Sequence, residues 1–193
     1  MIATPDAEIA SVAAEVHPNP DCVVGHMAGS LGLHPLSGHP RTLALHPLVS
    51  LPDAEIGSQR LAAGAWFAVA GDTMATTIVE ELGGQAFAVA DRDRATYHAA
   101  AAVAANHLVV LLGQVERLAD EIGVPLEAYL DLAQGSLESV RSLGPAAALT
   151  GPAARGDLTT VAAHLDALRN IDPAEVLMYE VMAEAARRLA GPQ

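Results

Sequence analysis

Histidines close two of the strands that the sequence predicts. A buried strand is expected over Cys22–His26 and another over Thr42–His46, so His26 and His46 both stand at strand ends. Ligands of open α/β sheets bind at the edge where the carboxyl ends of parallel strands meet. Because imidazole titrates near neutral pH, two converging histidines could act as general acid and base. The pattern therefore favours a small-molecule site at this edge of the sheet.

The segment that follows the first of these strands reads HMAGSLG over residues 26–32. Gly29 and Gly32 would let the backbone approach a ligand closely, and Ser30 would offer a hydroxyl group. The other interpretation is a turn that needs its glycines, with His26 a hydrogen-bonded core residue. Both interpretations are open at the level of the sequence.

A long predicted helix carries a second polar group. Tyr97 and His98 stand near its start, and His98, Ala102 and Asn106 are spaced by four, which places them along one face. Small alanines beside them leave room for a ligand or for a closely packed helix. The alternative is a polar pair that bonds within a helical bundle.

The segment Leu149–Asp157 (LTGPAARGD) joins two predicted helices. Thr150 offers a hydroxyl group, and the Arg155 guanidinium could pair with a carboxylate or phosphate through two hydrogen bonds. Asp157 is expected to cap the next helix. Ligand binding and helix capping are compatible here.

Metal binding is a weaker interpretation. Histidines are frequent in the first quarter of the chain, but none has the short fixed spacing of a metal motif, so no metal ligands are predicted. His34 and His39 lie in a Pro/Gly-rich loop and are expected to be exposed. A histidine metalloenzyme is the third-ranked functional alternative.

Composition excludes several classes of function. The 193 residues are 51% hydrophobic and carry a net charge of −13, and all ten basic residues are arginine. This argues against nucleic-acid or anionic-membrane partners and removes any mechanism that needs a lysine amine. Cys22 is the only cysteine, which excludes disulfides. The N-terminus lacks the features of a signal peptide, and the apolar run 99–112 is shorter than a membrane span, so a cytoplasmic protein is expected.

Two regions with different patterns are predicted. Residues 1–90 are expected to form a partial α/β domain of mostly parallel strands, with strands near 22–26, 42–46, 66–70 and 85–90 and helices near 5–16 and 73–82. Thr4 can cap the first helix, with Pro5 and Asp6 in its first turn. Residues 91–193 are expected to be helical, with helices near 93–122, 126–143, 157–169 and 173–189.

Taken together, the chain resembles a bacterial family of predicted oxidoreductases with a Rossmann-like front and a helical C-terminal domain of unknown function. The matching segments are TPDAEI at 4–9, HMAGSLG at 26–32, LHPL at 45–48, YHAAAAVAANHLV at 97–109 and LTGPAARGD at 149–157. The family is distantly related to ketopantoate reductase, pyrroline-carboxylate reductase and 6-phosphogluconate dehydrogenase. The resemblance implies a Rossmann-like sheet followed by a helical bundle like the C-terminal domain of 6-phosphogluconate dehydrogenase.

The resemblance also implies roles for single residues. NADP or NAD would bind with the help of Thr4, Pro5, Asp6, His26, Gly29 and Ser30. His98 or His46 would supply or remove a proton and Asn106 would hold a polar group of the substrate, with Tyr97, Thr150 and Arg155 as further substrate contacts. The chain departs from the family in having Met27-Ala28 after His26 and in lacking a strand–GxGxxG–helix turn.

The leading hypothesis is therefore an NAD(P)-dependent oxidoreductase-like protein acting on a small molecule. The alternative is a truncated, non-catalytic relative that serves as a dimeric ligand- or partner-binding module. Met1-Ile2-Ala3 resembles the end of a strand, so a sheet edge is expected there that a partner or the helical half covers. The apolar residues of the helical half predict a homodimer built on that half.

Overall fold

Four strands form one mixed sheet in the N-terminal part of the chain. In the computed structural model, which describes residues 1–191, they adjoin in the order β1 (Val24–His26), β2 (Thr42–Pro47), β3 (Trp66–Gly71) and β4 (Gln85–Ala88). The pairs β1–β2 and β3–β4 are parallel, and β2–β3 is antiparallel. All four strands were predicted, and the α/β class of this part is confirmed.

The antiparallel pairing of β2 with β3 departs from the expectation of a mostly parallel sheet. Between these strands lies α2 (Ala54–Ala62), a helix that the sequence reading missed, and Gly57 is its only buried residue. A crossover helix that covers a sheet face returns the chain in the parallel direction. Because α2 is exposed along almost its whole length, it does not act as such a crossover.

The side chains of β2 divide between the two faces of the sheet. Leu43 and Leu45 join Phe67 and Val69 of β3 in a hydrophobic core, which Ala75 and Val79 of α3 (Met74–Glu81) complete. Since successive side chains of a strand point to opposite faces, His46 lies on the face away from this core. This alternation frees its imidazole for polar contacts.

The first helix packs against the loop after β1. A 3₁₀ turn at Asp6–Glu8 leads into α1 (Ile9–Glu15), whose Ile9 and Ala13 are buried in a cluster with Val24 and Leu36. The predicted cap is wrong: Pro5 occupies the N-cap position without a side-chain bond, and the Thr4 hydroxyl is buried with no partner among the described residues. Pro5 has an extended ψ of 145°, so the helix begins one residue later than expected.

One helical segment runs from Asp91 to Ile122, close to the predicted extent. It comprises a 3₁₀ turn (Asp91–Asp93), α4 (Arg94–Ala102), a π-helical turn (Val103–His107) and α5 (Leu108–Ile122). By length and composition alone this segment could cross a membrane, and only 6% of its apolar 18-residue stretch is buried within the chain. The π-helical turn was not predicted.

The remaining helices are α6 (Leu126–Leu143), α7 (Pro145–Ala148), α8 (Leu158–Ile171) and α9 (Val176–Ala190). Asp157 accepts a hydrogen bond from Thr160 N and so caps α8 as predicted. Glu175, which is buried, accepts two bonds from Arg117, and its backbone oxygen accepts one from Gln114. These bonds tie α5 to the start of α9.

By its internal contacts the chain divides into two units, Met1–Leu108 and Val109–Gln193. The predicted domain boundary at residue 90 stays a prediction.

At the β1 edge of the sheet, Ile2 forms a parallel bridge with His26, and its N–H donates to Gly25 O at 2.7 Å. The expected cover of this edge by a partner also stays a prediction.

Candidate functional site

His46 and Tyr97 form the centre of the candidate site. The Tyr97 hydroxyl lies 2.7 Å from Nδ1 of His46, and their rings meet edge to face. β2 positions His46 near its carboxyl end, and α4 positions Tyr97. Phe87 of β4 also packs edge to face with the Tyr97 ring, with the centroids 5.8 Å apart. The pair is thus held by three different elements of the first unit.

His98 and Gly29 lie against the same imidazole. The His98 and His46 rings are in an edge-to-face arrangement, 6.2 Å between centroids. A Cβ atom at Gly29 would lie 2.7 Å from Nε2 of His46 and 2.9 Å from Cδ2 of His98. The absence of a side chain at Gly29 therefore lets the loop close onto both rings. The structure thus brings together Gly29, His46 and His98, three residues that the family resemblance assigns to the site, whereas the strand ends predicted convergence of His26 with His46.

His26 organises the loop that carries Gly29. It is completely buried, its Nδ1 accepts a bond from Ala28 N, and its Nε2 lies 2.9 Å from Gly32 O. Both ring nitrogens are thus used within residues 26–32, which fits the interpretation of His26 as a hydrogen-bonded core residue.

The predicted cofactor loop lies beside this segment. The Ser30 hydroxyl donates to Asp6 at 2.8 Å, and the Leu33 N–H donates to the Asp91 carboxylate at 3.2 Å. Pro5 is exposed, and the Thr4 hydroxyl has no partner in the part of the chain that the structure describes. An unsatisfied buried hydroxyl is costly, so Thr4 is the residue of this loop best suited to bond a ligand.

The environment shifts the pKa of both central groups. Burial lowers the pKa of His46, and the neighbouring His98 and Arg94 lower it further, against a small opposing effect of Asp6. Burial raises the pKa of Tyr97, although the Arg94 charge acts in the opposite direction. At neutral pH His46 is therefore neutral and Tyr97 keeps its proton. A phenol that donates to Nδ1 leaves the imidazole proton on Nε2, the nitrogen beside Gly29.

The remaining predicted site residues are Asn106, Thr150 and Arg155. Asn106 is exposed within the π-helical turn. That turn closes with i→i+5 bonds, so the angular relation between Asn106 and His98 is not that of a regular α-helix. Thr150 and Arg155 belong to the second unit, where Arg155 is exposed and its backbone N–H bonds to the carbonyls of Gly151 and Pro152.

Sequence reasoning missed Arg94, the first residue of α4. Its side chain is 1% exposed, and none of its guanidinium nitrogens has a hydrogen-bond partner among the described residues. It stands three positions before Tyr97, a spacing that brings side chains together on a helix. That spacing was the available signal.

The histidines of the N-terminal quarter do not assemble into a metal site in the structure. Across residues 1–191 there is no group of three or more metal-ligating side chains. The expectation that His39 is exposed is wrong, because its ring is buried and its Nε2 lies 2.9 Å from Ala13 O. This bond fixes the end of α1 to the following loop.

Comparison with known proteins assigns the family. A domain of unknown function, DUF2520, matches residues 67–186. The chain belongs to this family. No protein of curated function matches it.

Solved structures confirm the Rossmann-like fold of this DUF2520 chain. A Thermotoga maritima protein shares 22% identity at a TM-score of 0.77, over 97% of this chain and 76% of that one. A Bacteroides fragilis protein, provisionally named an NADP oxidoreductase, shares 21% at 0.79, over 96% and 73%. Pyrroline carboxylate reductase of Plasmodium falciparum, solved with NADP bound, shares 12% at 0.57, over 99% and 80%.

Two features of the DUF2520 chain bear on cofactor binding. The Thr4 hydroxyl, which has no partner among the described residues, and the Asp6–Ser30 pair lie in the segments that the family resemblance assigns to the cofactor. Glycine-rich turns at helix N-termini are common seats for a pyrophosphate, and the sequence contains no GxGxxG.

Proposed function

We propose that this chain is an oxidoreductase-type protein of the reductase class, with a small molecule as its substrate. The observation that carries the proposal is the His46–Tyr97 hydrogen bond at the carboxyl ends of two parallel strands, closed by Gly29 and His98. Reduction of a carbonyl or imine requires a proton donor beside the reacting atom. Nε2–H of His46 can be that donor if Tyr97 passes its phenol proton to Nδ1 at the same time, which leaves the imidazole neutral and Tyr97 as a phenolate.

In this proposal the chain's own residues manage the proton. Tyr97 holds the orientation of the His46 ring and keeps its tautomer defined through Nδ1. Nε2 of His46 is then the atom that gives or takes a proton on the side of Gly29, and His98 flanks it. A nicotinamide group, when bound, would supply the hydride. Thr4 and Ser30 would help to orient that group.

A second candidate is a ligand-binding module without catalysis. The absence of GxGxxG from the sequence favours it, because dinucleotide affinity normally depends on that turn. The two functions differ in one measurable respect. A reductase binds NADPH or NADH saturably and oxidises it in the presence of a substrate, whereas the module binds a small molecule and leaves the nucleotide unchanged.

We also propose a homodimer through the second unit. Many large apolar side chains there are more than half exposed, including Val109, Val110, Ile122, Leu132, Leu143, Leu158 and Leu177. Contiguous exposed apolar surface in a protein of this size usually marks an interface, and twofold pairing is the commonest solution.

Fluorescence titration of the purified chain with NADPH and with NADH tests the proposed function. We expect the wild-type chain to bind nucleotide saturably. Tyr97→Phe should weaken this binding, or leave the nucleotide bound without being oxidised, because the variant no longer holds the His46 ring. Tyr129→Phe, which changes a tyrosine of α6 in the other unit, is the matched control. Absence of saturable binding of either nucleotide would contradict the reductase function of this chain.

A further inference from the structure

Arg94 carries a charge that the described part of the chain leaves unpaired. Arg94 is the largest fully buried side chain among the described residues, with 1% of its surface exposed. Its Nε, Nη1 and Nη2 have no hydrogen-bond partner in that part of the chain. A guanidinium group stays protonated at any physiological pH. Burying such a charge without bonds is strongly unfavourable, so proteins ordinarily pair it with an anion.

The acidic group that acts on the charge of Arg94 does not fulfil this task. Asp91 contributes to the electrostatics of Arg94 but forms no ion pair with it. Its carboxylate instead accepts the Leu33 N–H bond and packs against Gly32, where a Cβ atom would lie 2.5 Å from either carboxylate oxygen. Asp91 therefore leaves the guanidinium donors unpaired, although they are shielded from solvent.

The position of Arg94 connects it to the candidate site. It lies on α4 one turn before Tyr97, and its charge is felt at both Tyr97 and His46. A ligand held by Arg94 would thus have its neighbouring atoms close to the His46–Tyr97 pair. The other groups that act on His46 within the described residues are not arginines or lysines: His98 is a second imidazole, and Asp6 is acidic and bonded to Ser30.

We propose that Arg94 binds an oxyanion, a carboxylate or phosphate group, of the substrate that His46 and Tyr97 act upon. A guanidinium fork matches such a group with two parallel hydrogen bonds. This assignment rests on the proposed function, since it names the substrate class of the same site. The guanidinium nitrogens are shielded from solvent, so the ligand must displace a covering side chain before it pairs with the charge.

The test uses the full chain without nucleotide, with pyruvate and inorganic phosphate as probes and chloride at equal ionic strength as the blank. Binding is measured by calorimetry, and the His46 ring is followed by NMR across pH. We expect saturable binding of at least one probe. We also expect binding to raise the pKa of His46, because an anion offsets the Arg94 charge and favours the protonated ring.

Two variants separate a binding role from a structural one. Arg94→Met should weaken the probe by roughly 100-fold or more, the loss expected for two charge-assisted bonds, and should abolish its effect on His46. Arg92→Met removes an exposed guanidinium two residues earlier and should leave binding unchanged. Pyruvate binding alone would identify a carboxylate ligand, and phosphate binding alone a phosphorylated one.

Three results would overturn the proposal. The first is that neither probe binds the wild-type chain saturably above the chloride blank. The second is that Arg94→Met binds the probes as tightly as the wild type does. The third is that Arg94→Met weakens NADPH binding and leaves the binding of both probes unchanged. If Arg94→Met does not fold, an unchanged His46 titration at saturating probe in the wild-type chain decides against it. Probe binding without NADPH binding would refute the reductase function and leave the oxyanion site standing.

Discussion

The three most buried histidines of the first unit have different tasks. His26 and His39 bond to backbone atoms and hold loops, whereas His46 bonds to a side chain at the end of its strand. Only His46 combines partial burial with a titratable partner and with a nearby unpaired cation. The chemistry of the first unit is therefore concentrated on one imidazole.

The lowered pKa of His46 makes a prediction about stability. The unfolded chain binds a proton at His46 near pH 6.5, while the folded chain binds it only at lower pH. The unfolded state thus holds more protons within this window, and the free energy of unfolding falls as pH drops from 6.5 towards the folded pKa. Burial of His46 contributes most to this lowering of its pKa, His98 and Arg94 add to it, and Asp6 opposes it.

Chemical denaturation between pH 5 and 8 measures this loss. His46→Asn retains an acceptor near the position of Nδ1 but does not titrate, so its unfolding free energy should lose less on acidification than that of the wild type. Equal pH dependence of the two proteins would show that His46 titrates alike in the folded and unfolded chain.

At the scale of elements, the loop 26–32 depends on close approach at Gly29. Gly29→Ala places a methyl group within 2.7–2.9 Å of the His46 and His98 rings, and His46 is held in place by Tyr97. We expect this overpacking to cost about 1–3 kcal/mol of unfolding free energy and to separate the two rings.

Gly38→Ala is the matched control for that substitution. Nothing lies within 4 Å of its Cβ position, so its stability should be unchanged or slightly increased. Urea unfolding of both variants gives the comparison. A Gly29→Ala protein as stable as Gly38→Ala would mean that the loop does not press on the rings.

The cap of α8 is a second element-scale feature. Asp157 accepts bonds from both the backbone and the side chain of Thr160, which hold the pKa of Asp157 below its ordinary value. Asp157→Ala should lower the melting temperature by roughly a few degrees, and the difference from wild type should shrink in acid as the carboxylate is protonated. Asp131→Ala, an exposed change on α6, should have little effect in circular-dichroism melting.

For the whole molecule, the exposed apolar side chains of the second unit predict self-association. Sedimentation equilibrium at micromolar concentration should give twice the 19.8 kDa of one chain. Val110→Glu, at a position 58% exposed on α5, should shift the mass towards the monomer, because a charge in an apolar interface is unfavourable. Val16→Glu makes the same change at an exposed site of the first unit and should leave the dimer intact.

A monomeric wild-type chain would refute the dimer. If the chain floats with anionic vesicles, the exposed apolar surface binds a membrane and not a second copy of the chain. The helical segment Asp91–Ile122 meets the length and composition of a membrane span, so this arm belongs in the experiment.

Local patterns in the sequence were sufficient for much of the fold. The four strands, the long helical segment and the caps of α8 and of the last helix depend on hydrophobic periodicity and on residues such as Asp157 and Asp172, which act within a few positions. The strand ends predicted that His26 would converge with His46, and only the family resemblance placed His98 in the same pocket. The strands, helices and caps need only residues that are close in sequence.

The tertiary structure alone decided the rest, because it depends on distant contacts. No local pattern encodes the antiparallel β2–β3 pairing or the bond between the buried His39 and Ala13 O. Nor does one encode the burial of Arg94 without a hydrogen-bond partner among the described residues. Arg94 resembles any helix-start arginine in sequence. Only the packing shows that its guanidinium is buried with no hydrogen-bond partner among the described residues. Because burying an unpaired charge is unfavourable, we expect Arg94 to bind an anion.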